Sequence, residues 1–381
     1  RLQKISFAVG ILFLILCGVG VAFEPREFFV SWLFAFIFWI GLTIGCFNGA
    51  MIHYLTNGRW GFATRRFLEA GFMTLPVMAI FFIPILFGLH ELYPWARPHE
   101  IATDKIVQHR ASFENFPGFL IRAIFYFAIW IVIAFLLRKW SLQQDETADV
   151  APTIKMRTLS GPGIVIVPLL GTFAFVDWAM SIEPKWYSSV FPIIILAGQI
   201  LVMFAFVIML LAWMKKFSPF RESVEEKQFT DLGSFLLAFV LFWTYVAFAQ
   251  ILIIYSANEP HEIIWYLRRI GGDWIWFVAF IAAFHFFIPF FLLLFRVIKT
   301  HPHRLVKIAV LIFFVHAIEI FWVIAPTFYP RVEIHWTDFA AWLGMGGIWL
   351  GIFATNLKRH PLLARNDPRL ENLLTQTVHA K

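Results

Sequence analysis

Charge and cysteine are what this chain has least of. Asp, Glu, Lys and Arg together make up 14% of its 381 residues, too little for the solvated surface of a soluble domain. The two cysteines, Cys17 and Cys46, both lie in apolar runs, which excludes a disulfide scaffold. No CxxCH haem-attachment motif is present, nor a cysteine set for an iron–sulfur cluster. Long polar loops are missing as well. The longest connections, 94–117, 141–160 and 215–231, leave no room for a second soluble domain. The first apolar run lacks a small-residue cleavage site, so no cleavable signal peptide is expected. The chain opens on Arg1 rather than Met, and further residues are expected before it.

What is present is apolar. Hydrophobic residues make up 60% of the chain, with 47 Phe and 17 Trp, and the mean hydropathy is +0.75. Runs of roughly 20 apolar residues read as membrane-spanning helices, and ten such spans follow: 5–23, 28–55, 67–93, 118–140, 161–181, 186–214, 232–257, 273–298, 305–327 and 336–357. The runs are continuous rather than alternating, which excludes a β-barrel. The expected fold is an all-α polytopic membrane protein: a ten-helix transmembrane domain over 1–357 and a tail over 358–381. In that tail, Asn366-Asp367-Pro368 predicts the start of a short surface helix. The formal charge of +7 follows topology rather than marking a nucleic-acid surface. The N-terminus, the connections after spans 2, 4, 6 and 8, and the tail hold 22 Lys and Arg with their flanks, against 8 in the other connections. By the positive-inside rule both termini are cytoplasmic, and one cation, Arg122, is left inside span 4.

Against this background, titratable side chains within spans stand out, because ionised groups in hydrocarbon are costly and mark pathways. Asp177 lies near the outer end of span 5, with Ser181 four residues on and Glu183 in the turn to span 6. Together they can bind a cation or deliver protons; alternatively, a Trp N–H or backbone group holds Asp177 to lock the turn. His316 and Glu319 are three apart in span 9 and share a face. A His–Glu pair suits a proton relay, or a packing hydrogen bond. His285 in span 8 lies at similar depth; paired with His316 it can in principle ligate a b-type haem, although small residues for a macrocycle are few. Glu69, at the start of span 3, and His53, at the end of span 2, suit proton uptake from the cytoplasm, while Arg65 and Arg66 suit an ion pair with Glu69. Tyr245, Gln250 and Asn48, with Gln199, are expected to line a polar interior. Arg268 and Arg269, outside against the positive-inside trend, suit a carboxylate-bearing partner, and Trp186, Trp265, Trp274 and Trp336 an interfacial belt.

Three segments carry a resemblance: Thr172–Ser188 (TFAFVDWAMSIEPKWYS), Phe242–Asn258 (FWTYVAFAQILIIYSAN) with Trp265–Arg269, and His360-Pro361-Leu362 with Asp367–Glu371. They resemble the ActF-type membrane subunit of bacterial alternative complex III, a quinol:electron-acceptor oxidoreductase, within the NrfD-like family. The resemblance runs from about span 2 to the tail. It implies two four-helix bundles, spans 2–5 and 6–9, flanked by the first and last helices, in a bacterial inner membrane. It also implies a paralogous ten-span subunit, an iron–sulfur subunit and multi-haem cytochrome c subunits as partners. Quinol is then the substrate of the complex, with haem c and iron–sulfur clusters on those partners and no cofactor on this chain. The role implied is non-catalytic: structural support and a proton path. On this chain's own residues the expected path enters near Glu69 or His53, passes His285 and His316, and leaves toward Glu319, Asp177 and Glu183. Two alternatives stay open. One is a direct quinone-binding or b-haem redox subunit. The other is a secondary cation-coupled transporter, for which Pro76, Pro84 and Pro289 would break helices near mid-membrane.

Overall fold

A computed structural model describes residues 2–147, 149–364, 366 and 367. Among the described residues, ten helices are long and apolar enough to cross a membrane: α1 (Leu2–Phe23), α2 (Pro25–Thr56), α3 (Arg59–Phe87), α4 (Phe116–Glu146), α5 (Ala151–Met180), α6 (Phe191–Met214), α7 (Glu226–Ala257), α8 (Trp274–Leu294), α9 (Pro302–Thr327) and α10 (Trp336–Lys358). The number of spans agrees with the hydropathy reading; several boundaries do not. Hydropathy sees only the hydrocarbon-crossing part, whereas α3, α5 and α7 begin six to ten residues earlier. The segment expected as a loop before span 3 is helical from Arg59, so Arg65 and Arg66 lie inside a helix and are fully buried. Only Asn366 and Asp367 of the expected tail helix fall within the described residues, and neither is helical.

The helices form two rings of four. α2, α3, α4 and α5 pack in sequence and α5 closes back on α2; α6, α7, α8 and α9 do the same, with α9 closing on α6. The two rings meet where α2 packs against α6, and α2 is almost wholly enclosed as a result. α1 and α10 lie together outside both rings, against α2. Their contact is backbone to backbone: a Cβ on Gly10 would sit 2.6 Å from the Ile348 nitrogen, so this pair tolerates no side chain there. Gln3 donates to Thr355 at 2.7 Å and Lys358 to Gln3 at 2.7 Å. The start of α1 and the end of α10 therefore share one face, here the terminus face; the opposite one is the far face.

Two helices carry a π-helical turn, α5 at Val176–Met180 and α8 at Ala282–Phe287. Such turns insert one residue and re-aim a side chain, and they occur often at functional sites. Asp177 and His285 sit in them.

Candidate functional site

The second ring encloses a carboxylate between two imidazoles. α9 carries His316 and Glu319 one turn apart, and the His316 Nδ1 to Glu319 Oε2 distance is 2.8 Å. The π turn of α8 brings His285 to the same oxygen, with Nδ1 at 3.3 Å. From α7, the Trp243 Nε1–H donates to Oε1 at 2.8 Å and its ring lies 4.4 Å from the His285 ring. All three titratable side chains are buried. Glu319 lies eight residues before the far end of α9, about 12 Å at 1.5 Å per residue. The floor is Gly198 of α6, where a Cβ would fall 2.5 Å from His316 Cε1. Phe38 of α2 packs against the His316 ring, with centroids 5.9 Å apart.

This geometry discriminates between chemistries. The ligand-type atoms of His285, His316 and Glu319 all lie within 4.8 Å of one another. A tetrahedral ion with bonds of about 2.1 Å spaces its ligands about 3.4 Å apart, whereas 2.8 Å is a charge-assisted hydrogen bond. The arrangement suits a shared proton better than a metal. A b-type haem does not fit, because Glu319 and Trp243 fill the space a macrocycle would need between the imidazoles.

The first ring has a counterpart at the far face, but a locked one. Asp177 receives Arg122 Nε and Nη2 of α4, both at 2.8 Å, and the Tyr126 hydroxyl at 2.9 Å. Among the described residues these side chains, rather than the Trp N–H or backbone group that the sequence offered as an alternative, hold it. Ser181 turns back to the Asp177 carbonyl at 2.5 Å and accepts from Trp95 at 3.2 Å. Nearby, before α4, burial pushes the Glu114 carboxyl above its ordinary range, opposed by Arg110 at 3.3 Å.

Glu183, beyond α5, joins the two rings. It accepts from Arg269 at 2.8 Å and Thr327 at 2.6 Å, with Arg268 at 3.3 Å. The expectation that Arg269 faces a partner is corrected: it is fully buried, donates to the Val323 carbonyl at 2.6 Å and stacks on Trp265, 3.8 Å from the ring centre. Trp186, Trp265 and Trp274 are likewise buried rather than forming an interfacial belt, and Trp336 alone of the four is exposed.

Toward the terminus face, Glu69 is fully buried among three arginines. Arg65 Nε lies at 2.9 Å, Arg66 Nη1 at 2.6 Å, and Arg138 of α4 donates as well. Tyr54 at 2.8 Å and Ser141 complete its shell. Asp145 pairs with Arg66, and Asp367, from beyond α10, pairs with Arg65 at 3.1 Å. His53 is buried beside this cluster, with its ring against Tyr54, Trp60 and Phe62.

Of the expected polar lining, Asn48 and Gln250 are buried, and neither side-chain amide has a hydrogen-bond partner among the described residues. Tyr245 is a correction: it is 69% exposed on the outer face of α7. The inward positions of that helix run Trp243, Val246, Gln250 and Ile254, and Tyr245 falls between them. Trp243, Tyr126 and Arg138 were not expected at the sites. Arg122 had a readable signal, since it and Asp177 are opposite charges at matching distances from the far ends of adjacent spans.

No protein-family model matches the chain, and comparison with curated proteins finds no match.

Proposed function

We propose that the chain is an ActF-type, NrfD-like subunit of an alternative-complex-III-class quinol oxidoreductase in a bacterial cytoplasmic membrane, with both termini cytoplasmic. Its own chemistry is proton transfer rather than redox catalysis. The observation that carries this reading is the buried His316–Glu319–His285 cluster: His316 is hydrogen-bonded to Glu319, and His285, from a second helix, has Nδ1 3.3 Å from the same oxygen with no hydrogen bond made among the described residues. A proton on His316 Nδ1 can pass to Glu319 Oε2, and His285 can receive it from the same oxygen with little movement. Trp243 fixes the other oxygen, so the carboxylate does not rotate away. His53, near the terminus-face end of α2, is the group of the proposed path on the cytoplasmic side, and Glu183, bonded to Thr327 at the far end of α9, marks the outlet. Glu69 and Asp177 serve as ion-pair clamps in this reading: protonating Glu69 would leave buried arginines uncompensated, and protonating Asp177 would unpair the half-buried Arg122. Quinol oxidation and electron exit belong to the partners: the paralogous ten-span subunit, the iron–sulfur subunit and the multi-haem cytochromes.

Two experiments test it. Affinity purification from native membranes followed by mass spectrometry should recover those partners; a chain that purifies alone removes the complex assignment. In proteoliposomes of the whole complex, Glu319→Gln should lower the proton-to-electron ratio while quinol oxidation continues. An unchanged ratio defeats the relay.

One observation favours a second reading, direct quinone binding. An aromatic groove of about 640 Å³ lies among α2, α8, α9 and α10, with Phe321 and Trp342 on its walls and Asp338 in its lining. Asp338 accepts from Ser31 at 2.6 Å. Cross-linking of an azido-quinone to these residues would establish that reading.

A further inference from the structure

At the far face the two rings part around a polar cleft of about 430 Å³. Arg26 from the start of α2, Arg97 from the α3–α4 connection, Lys185 from the α5–α6 turn and Arg268 from the α7–α8 connection all reach it. Its carboxylates are largely committed. Asp104 faces Lys185 at 2.8 Å, and Glu183 already serves Arg269 and Thr327. Arg268 is left with one 3.3 Å contact to Glu183. Among the described residues Arg26 donates only to the Phe328 carbonyl at 3.4 Å, and Arg97 only to the carbonyls of His90 and Glu91. With Glu100 counted, the lining still holds four basic side chains against three acidic ones.

A second observation points the same way. Trp186 forms part of the wall, is 2% exposed, and is held by stacking on Trp265 with centroids 4.7 Å apart. Its Nε1–H has no acceptor among the described residues. A buried N–H donor left without an acceptor is costly, and Arg26 and Arg268 are each held by a single long contact of 3.4 and 3.3 Å among the described residues, so the cleft has donor capacity to spare for acceptor oxygens.

We propose that the cleft binds a phosphate oxyanion. A carboxylate offers two oxygens, fewer than the donors converging here, whereas phosphate presents acceptors in several directions and suits guanidinium forks. The cleft lies at the level where the spans end, so a phosphodiester of a lipid headgroup is one source and free phosphate the other. Bound there, the anion would bridge helices of both rings. The site stands whether or not protons cross the chain.

The test uses the purified protein in mild detergent, with whatever subunits accompany it. It is titrated with dioctanoyl-phosphatidylglycerol, with inorganic phosphate, and with dioctanoylglycerol as the phosphate-free control; occupancy is read by native mass spectrometry and by the thermal midpoint. One phosphate-bearing molecule per chain is expected, bound about tenfold more weakly in Arg26→Gln and in Trp186→Phe, each of which removes one donor. Arg26 is exposed and phenylalanine keeps the stack on Trp265, so both variants should fold. Binding of the lipid alone identifies a headgroup, and equal binding of inorganic phosphate identifies the free ion; either result supports the site. Equal binding of dioctanoylglycerol, phosphate-lipid binding untouched by both substitutions, or no binding overturns it.

Discussion

Replacing Glu69 by glutamine should unbalance the most charged part of the interior. Arg65, Arg66 and Arg138 are matched there by Glu69, Asp145 and Asp367. Glu69→Gln keeps the shape and removes one of three negative charges, leaving a buried guanidinium uncompensated. Breaking a buried pair in this way costs about 3–5 kcal/mol. Arg138→Met, which removes a positive charge instead, should cost a similar amount. The double variant restores the balance at two against two, so the losses should not add. A coupling of about 0.5–3 kcal/mol in favour of the double variant is expected for groups in one network. The assay is SDS-titration unfolding of the detergent-purified protein, followed by tryptophan fluorescence. Losses that add within about 0.5 kcal/mol, the tolerance for independent sites, would refute the claim that charge balance holds this cluster.

Three further outcomes are expected. Gly198→Val should push His316 off its floor and cost about 1–3 kcal/mol by overpacking, and it should impair proton movement as Glu319→Gln does, measured by the same ratio. Glu114→Gln should raise the thermal midpoint at neutral pH and leave it unchanged in acid. The folded-state pKa of Glu114 is raised, so its favourable contribution is present below the ordinary carboxylate range and is lost as pH rises through the folded value. A thermal midpoint for Glu114→Gln equal to the parent's from pH 4 to pH 8 would count against that. Tyr245→Phe should change stability by less than about 0.5 kcal/mol, as surface substitutions do, because the side chain faces outward; a larger loss in the same unfolding assay would place it inside.

The sequence disclosed the spans because hydrocarbon thickness sets a minimum apolar length. It disclosed His316–Glu319 because helical periodicity alone joins residues three apart. It did not disclose that His285 reaches the same oxygen, since that depends on a π turn in α8 with no signal in apolar periodicity. Nor did it place Tyr245: α7 is apolar on all sides, so its phase is set by packing alone. Glu69 was legible as an ion pair with its neighbours, but Arg138 comes to it from 69 positions away and Asp367 to Arg65 from 302, and only the fold joins them. Arg65 and Arg66 lay outside every apolar window, which is why a loop was expected where a buried helix runs.

The pairing of α1 with α10 has a consequence for how the chain is made. Of the ten described spans, α1 is made before the other nine and finds its main neighbour in α10, made after them. Throughout synthesis the Gly10 seam of α1 faces lipid or a chaperone, with only α2 to hold it in place. A chain halted before α10 would therefore leave the Gly10 seam of α1 open.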